Sequence, residues 1–141
     1  MLTKQLSIFL ENKRGRFTEV AKLLGEHNIN MTAFTVSENS DFGILRLIVS
    51  ETERALMILL DNKYAVIEAD VICIHCPNQP GALGKVMDYI TKAGIFIEYM
   101  YAFSEGDSAH IIIRPEDLEK CSKVLKENSL ALTEISNLYK L

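Results

Sequence analysis

An internal repeat limits what this chain can fold into more than any other feature. Displaced by 66 positions, the 141-residue sequence lays Ile8 on Ile74, Asn12 on Asn78, Gly15 on Gly81, Val20 on Val86 and Ile29 on Ile95. Conservative matches fill the intervals: Phe17 with Leu83, Leu24 with Ile90, Met31 with Ile97. Farther along, the pattern reads as an offset of 64, setting Ser50 against Arg114, as though the second copy had lost two residues in a loop. Solenoid repeats are shorter than this, so two copies of a small domain are expected.

Each copy carries the same series of elements. Leu6, Ile8 and Leu10 recur at period two, the pattern of a strand with one buried face. Phe17, Val20, Ala21 and Leu24 then follow helical spacing, as do Leu83, Val86, Met87 and Ile90 in the second copy. The first helix ends at Asn28 in one copy and at Gly94 in the other, the two residue types best suited to a left-handed C-terminus. Second strands are expected over 29–37 and 95–103. Turns follow at 38–41 and 104–107, and third strands over Ile44–Val49 and Ala109–Ile113. Ser50 and Glu53 read as a capping box, and Pro115 as the first residue of a helix. The short second helices should run to Asp61 and Glu127, and the last strands should cover Tyr64–Glu68 and Leu130–Ile135.

The order is β-α-β-β-α-β twice. It predicts an α+β protein of two ferredoxin-like units in tandem, each an antiparallel sheet with helices on one face. The expected domains are 1–69 and 70–141. No Pro/Gly/Ser-rich linker separates them, and each is close to the size at which a lone core is marginal, so docked halves are expected.

Composition narrows the function classes. A net charge of −4 and a pI near 5.4 supply no basic field for a phosphate backbone, so nucleic acid is excluded as a partner. The first residues alternate in character and reach Glu11 too early for a signal peptide, and no apolar run suits a membrane span. Three cysteines do not make a disulfide framework. A cytoplasmic protein with no membrane partner is expected.

The loop before each first helix carries the chemistry. Cys76-Pro77-Asn78-Gln79-Pro80-Gly81-Ala82-Leu83 has two stiffening prolines and a glycine that admits a ligand to the backbone. The helix that follows offers unpaired N–H groups and a positive dipole end, which together suit a carboxylate. Asn78 can both donate and accept, as a group bearing carboxylate and ammonium requires. The plain alternative is a tight Pro-Gly turn leading into a helix.

Asn78 through Leu83, Ala93-Gly94-Ile95 and Glu98 through Phe103 resemble the ACT domain, and in particular small proteins made of two such domains. The first copy matches through Glu11 to Phe17, His27 to Asn30 and Ser40 to Ile44. The resemblance implies a non-catalytic, allosteric regulatory module that binds a free amino acid where two ACT domains pair. In the pattern it implies, an Asn just before Pro-Gly works with a second Asn opening the next strand of the paired domain. One site would then combine Asn78, Gln79, Pro80, Gly81, Ala82 and Leu83 with Asn30 and Met31. The other would combine Asn12, Arg14, Gly15 and Arg16 with Phe96 and Glu98. The first has the fuller polar set, because Arg14 replaces the loop proline in copy one and Phe96 replaces the strand asparagine in copy two. No cofactor is implied. An enzyme or regulator of amino-acid metabolism would receive the signal in trans, and the alternative is an interaction module whose sites are vestigial.

Two other constellations compete. Cys73-Ile74-His75-Cys76 suggests a small metal carrier, but residues three apart on a strand face opposite ways, so Cys73 and Cys76 should diverge. His27, His75 and His110 have no nucleophile motif beside them, and no phosphate loop or dinucleotide fingerprint occurs, so no catalytic residue is expected. His75 and His110 lie on strands that could bring them together, although an isolated strand histidine is the commoner outcome. Finally, the strand Ile95–Phe103 is apolar on both faces. The far face of its sheet should therefore be covered, either by the other half or by a second chain, and the remaining alternative is an exposed aromatic patch that receives a protein partner; a homodimer is expected.

Overall fold

In the computed structural model, which describes residues 2–38 and 41–128, the repeat becomes a succession of ten elements. They are β1 (Leu2–Glu11), α1 (Arg16–Glu26), β2 (Met31–Glu38), β3 (Phe42–Val49), α2 (Thr52–Asp61), β4 (Ala65–Pro77), α3 (Ala82–Lys92), β5 (Ile97–Glu105), β6 (Ser108–Pro115) and α4 (Leu118–Glu127). The chain is α+β, and it separates into two units: Lys4–Asp70, and Met1–Thr3 with Val71–Leu141. The expected strand at Leu130–Ile135 lies outside the described residues. So does the middle of the 38–41 turn.

In the Lys4–Asp70 unit, β3 lies between β1 and β2 and runs antiparallel to both. Register opposes Leu6 to Leu47 and Ile8 to Leu45, which sets the large aliphatic side chains of both strands on one face. That face packs on Val20 and Leu24 of α1 and on Ala55 and Leu59 of α2, all fully buried. Truncating any one of these leucines to alanine would cost about 2–5 kcal/mol.

The second unit repeats the plan. Here β6 is central, antiparallel to β4 and β5. Ile72 and Ile74 of β4, Ile111 and Ile113 of β6, Val86 and Ile90 of α3, and Cys121 and Leu125 of α4 form its core. Position for position these residues fall 66 apart from the first unit's, including Leu59 with Leu125 and the helices Thr52–Asp61 with Leu118–Glu127. The offset is therefore 66 throughout the described residues, and no two-residue loss occurs.

Both helix C-terminal glycine-type positions behave as expected: Asn28 has φ 58° and Gly94 φ 70°. Two start signals do not. Ser50 caps no helix; its hydroxyl accepts from the Asn30 N–H at 3.0 Å, and its own N–H donates to the Asn30 carbonyl at 3.0 Å. Pro115 closes β6 instead of opening a helix, and Asp117 caps α4 by accepting from the Lys120 N–H at 3.0 Å. A strand end tolerates proline as readily as a first helical turn does. The second strands also begin later than expected, at Met31 and Ile97, and a bulge follows each of these residues in its pairing with the neighbouring strand.

That bulge explains the strand with two apolar faces. Ile97 pairs opposite Pro115 and packs on the helices, whereas Tyr99 already pairs opposite Arg114. The extra residue, Glu98, flips the alternation. Tyr99, Tyr101 and Phe103 consequently share the helix-free face with Ile112 and His110, each half-buried except the fully buried Ile112.

Candidate functional site

The two loops singled out by sequence begin with the same backbone device. Gly15 caps α1 at φ 89°, ψ −3°, and Gly81 caps α3 at φ 86°, ψ −14°. A side chain at Gly15 would meet nothing within 4 Å, so conformation and not space demands glycine there. The left-handed residue turns the chain sharply out of β1 or β4 and leaves the first amides of the helix facing the loop.

In the Lys4–Asp70 unit this loop opens onto a cavity of about 310 Å³ lined by Asn12, Lys13, Arg14, Arg16, Phe17, Val36 and Glu38, among others. Its charges divide into used and unused. Lys13 Nζ lies 2.9 Å from Glu11 Oε2. Arg16 bridges Glu19 at 3.1 Å and Glu11 at 3.4 Å. Lys13, with Arg16 behind it, holds the Glu11 carboxyl below its usual range, and Glu19, then Glu11, hold Arg16 above its own. The Tyr64 hydroxyl donates to Glu19 at 3.4 Å and is pushed up, first by burial and then by that carboxylate. Arg14 is exposed and forms no ion pair with any described residue. Asn12 packs over Gly43, where an added Cβ would lie 3.6 Å from its Oδ1. One cation, one amide and a row of helix amides thus face a cavity with an apolar side.

Phe17 of α1 and Val36 of β2 supply that apolar side, and outside the lining Phe17 meets Phe34 of β2 with ring centroids 5.7 Å apart. Phe17 was expected to join the helix's inner face, yet it stays 36% exposed and Phe34 51%. The equivalent positions in the second unit, Leu83 and Met100, are exposed too, at 43% and 38%. These exposed apolar side chains at matched positions of the two copies belong to neither core.

The second loop is tied differently. The Asn78 N–H donates to the Asp107 carbonyl at 2.9 Å, and its side-chain amide reaches Ser104 Oγ at 3.5 Å, fastening the loop to the β5–β6 turn. Gln79, whose carbonyl accepts from the Ala82 N–H at 3.2 Å, and Pro80 are exposed. Ala82 belongs to the core and offers no side chain to a ligand, and Met31 packs against the first unit's core. Asn30 is held through its backbone by Ser50 with its side chain exposed. Phe96 is 66% exposed and Glu98 sits exposed at the bulge. Lys13, Phe17, Val36 and Glu38 line the first cavity without having been singled out; in the sequence they are a loop lysine and ordinary strand and helix residues.

Cys73 and Cys76 diverge as strand geometry requires. Cys76 is in the core, whereas Cys73 is half-buried on the other face, and burial pushes both thiols up. Among the described residues no helix is long and apolar enough to cross a membrane.

Comparison with known proteins agrees with the geometry. A search of curated proteins finds no match. Protein BT0572 from Bacteroides thetaiotaomicron is 50% identical over 100% of this chain and 98% of its own, with a TM-score of 0.86. The ligand-free regulatory subunit of aspartate kinase from Thermus thermophilus shares the fold at 15% identity and a TM-score of 0.66, over 89% of this chain and 91% of that one. Aspartokinase III of E. coli, solved with lysine and aspartate, aligns over 93% of this chain and 31% of its own at 16% identity and a TM-score of 0.53. The family model describing an ACT domain pair matches residues 1–141, and the chain belongs to that family.

Proposed function

We propose that this ACT domain pair is a non-catalytic sensor that binds a free amino acid at its first loops. The observation that carries the reading is Arg14, a cation with no ion pair among the described residues, beside Asn12 in the lining of a cavity of about 310 Å³, next to a helix that begins from a left-handed glycine. An α-carboxylate would be held by Arg14 and the first amides of α1, the ammonium by the Asn12 side chain and the acidic Glu38, and the side chain against Phe17 and Val36. The Asn78 loop, with Gln79, Pro80 and Gly81, is a second receptor of the same kind. The asparagine that completes such a site in a paired ACT unit is Asn30. Mechanism is then linkage: the ligand stabilises one arrangement of paired units and changes a surface that a protein of amino-acid metabolism reads.

The test is equilibrium dialysis of labelled amino acids against wild type, Arg14→Ala, Asn30→Ala and Asn78→Ala. Loss of binding in Arg14→Ala with Asn78→Ala unchanged assigns the first loop, and the reverse assigns the second. Wild-type affinity in all three removes the proposal.

A second reading has its own support. The exposed pairs Phe17/Phe34 and Leu83/Met100 are suited to protein contact, and a homodimer that buries them is the expected form. A clean monomer by sedimentation at micromolar concentration would contradict it.

A further inference from the structure

On the helix-free face of the second unit's sheet, three metal-ligating side chains converge. Cys73 and His75 are two residues apart on β4 and therefore project from the same face. His110 of β6 is the register partner of His75. The ligand atoms of the three all lie within 4.8 Å of one another, and the two imidazoles have centroids 4.2 Å apart. Phe103 stacks flat on His110 at 4.6 Å with 5° between the planes, which fixes that ring. Glu105 Oε2 lies 3.4 Å from His110 Nε2 and adds a negative charge at the edge of the group. At the corresponding positions the first unit has Ser7, Phe9 and Ile44, so this chemistry belongs to one copy only.

We propose that Cys73, His75 and His110 bind one zinc ion. One thiolate and two imidazoles are a borderline-soft donor set suited to zinc, and three protein ligands leave the fourth position to water. Tetrahedral zinc, with Zn–N about 2.0 Å and Zn–S about 2.3 Å, sets its ligand atoms about 3.3–3.6 Å apart, a distance that small side-chain rotations reach from the present spacing. The ligands come from adjacent strands of a hydrogen-bonded sheet, so the backbone need not move. Binding releases the Cys73 proton to solvent. Cys76, in the core, takes no part.

The test uses the full chain, freed of metal and kept reduced, titrated with Co²⁺ and then Zn²⁺. One equivalent of cobalt should give a thiolate charge-transfer band and intense tetrahedral visible bands, both erased by zinc. Cys73→Ser should abolish the charge-transfer band. His75→Ala and His110→Ala should weaken binding by more than Glu105→Gln, for which roughly 10–100-fold is expected of an outer-shell partner. His27→Gln should change nothing, and circular dichroism checks that each variant is folded. An octahedral cobalt spectrum in folded wild type, or a thiolate band that survives Cys73→Ser, would overturn the proposal.

Discussion

Asn62 and Asn128, 66 positions apart, make the same bond: each side-chain amide donates to the carbonyl four residues back, that of Ile58 at 2.8 Å and of Val124 at 2.7 Å. Each residue follows the last turn of its helix, and the same carbonyl also accepts the asparagine's own backbone N–H, at 3.1 Å and 3.2 Å, so each asparagine closes its helix with two bonds to one oxygen. Asn62→Ala and Asn128→Ala should each cost about 0.5–1.5 kcal/mol in urea denaturation. A cost at one position only would show that the two helix ends are not energetic equivalents.

The capping glycines allow a sharper contrast. Gly15→Ala and Gly81→Ala force a Cβ into a left-handed backbone and should each lose about 1–2 kcal/mol. Gly84, inside α3 with open space around it, should behave in the opposite way. Gly84→Ala should gain about 0.5–1 kcal/mol by restricting the unfolded chain. Denaturation midpoints of the three variants decide it.

Much of this was legible in the sequence, and the exceptions have physical causes. The repeat was fixed by identities such as Gly15 with Gly81, which occupy matching backbone conformations. The apparent offset of 64 in the third strands arose because side chains alternate at period two, so sliding a strand by two residues leaves every face unchanged. Only the register, with Leu47 opposite Leu6 and Ile113 opposite Ile72, restores 66. The bulges after Met31 and Ile97 left no residue signal, and they reversed the faces of everything downstream. Phe17 shares the helical spacing of Val20 and Leu24, yet at the first turn of α1 it is 36% exposed, which the spacing does not reveal. His75 and His110 were visible as residues, but their meeting depends on the pairing of β4 with β6.

Caps differ in strength between the copies. Asp117 caps α4 through its side chain, and Asp117→Ala should cost about 0.5–2 kcal/mol. The equivalent Glu51 makes no such bond, so Glu51→Ala should cost less. Equal losses in thermal unfolding would contradict the assignment.

Alkaline pH should weaken the second unit's core. Burial, aided by Asp117, raises the Cys121 thiol above its ordinary value. A folded pKa above the unfolded one leaves stability intact below about pH 8.5, and it is lost as pH rises through the folded value. Cys121→Ala should flatten that alkaline fall. Identical pH profiles for wild type and variant would show that the thiol carries none of it.

Amino-acid sensing is tested most directly by thermal melting of the reduced protein with each of the twenty amino acids in turn. A ligand at about a hundred times its dissociation constant adds roughly 2.7 kcal/mol, enough to raise the midpoint by several degrees. The account predicts such a shift with one amino acid or a chemically related pair, and its loss in Arg14→Ala or Asn78→Ala. A cooperative melt that no amino acid moves would contradict it.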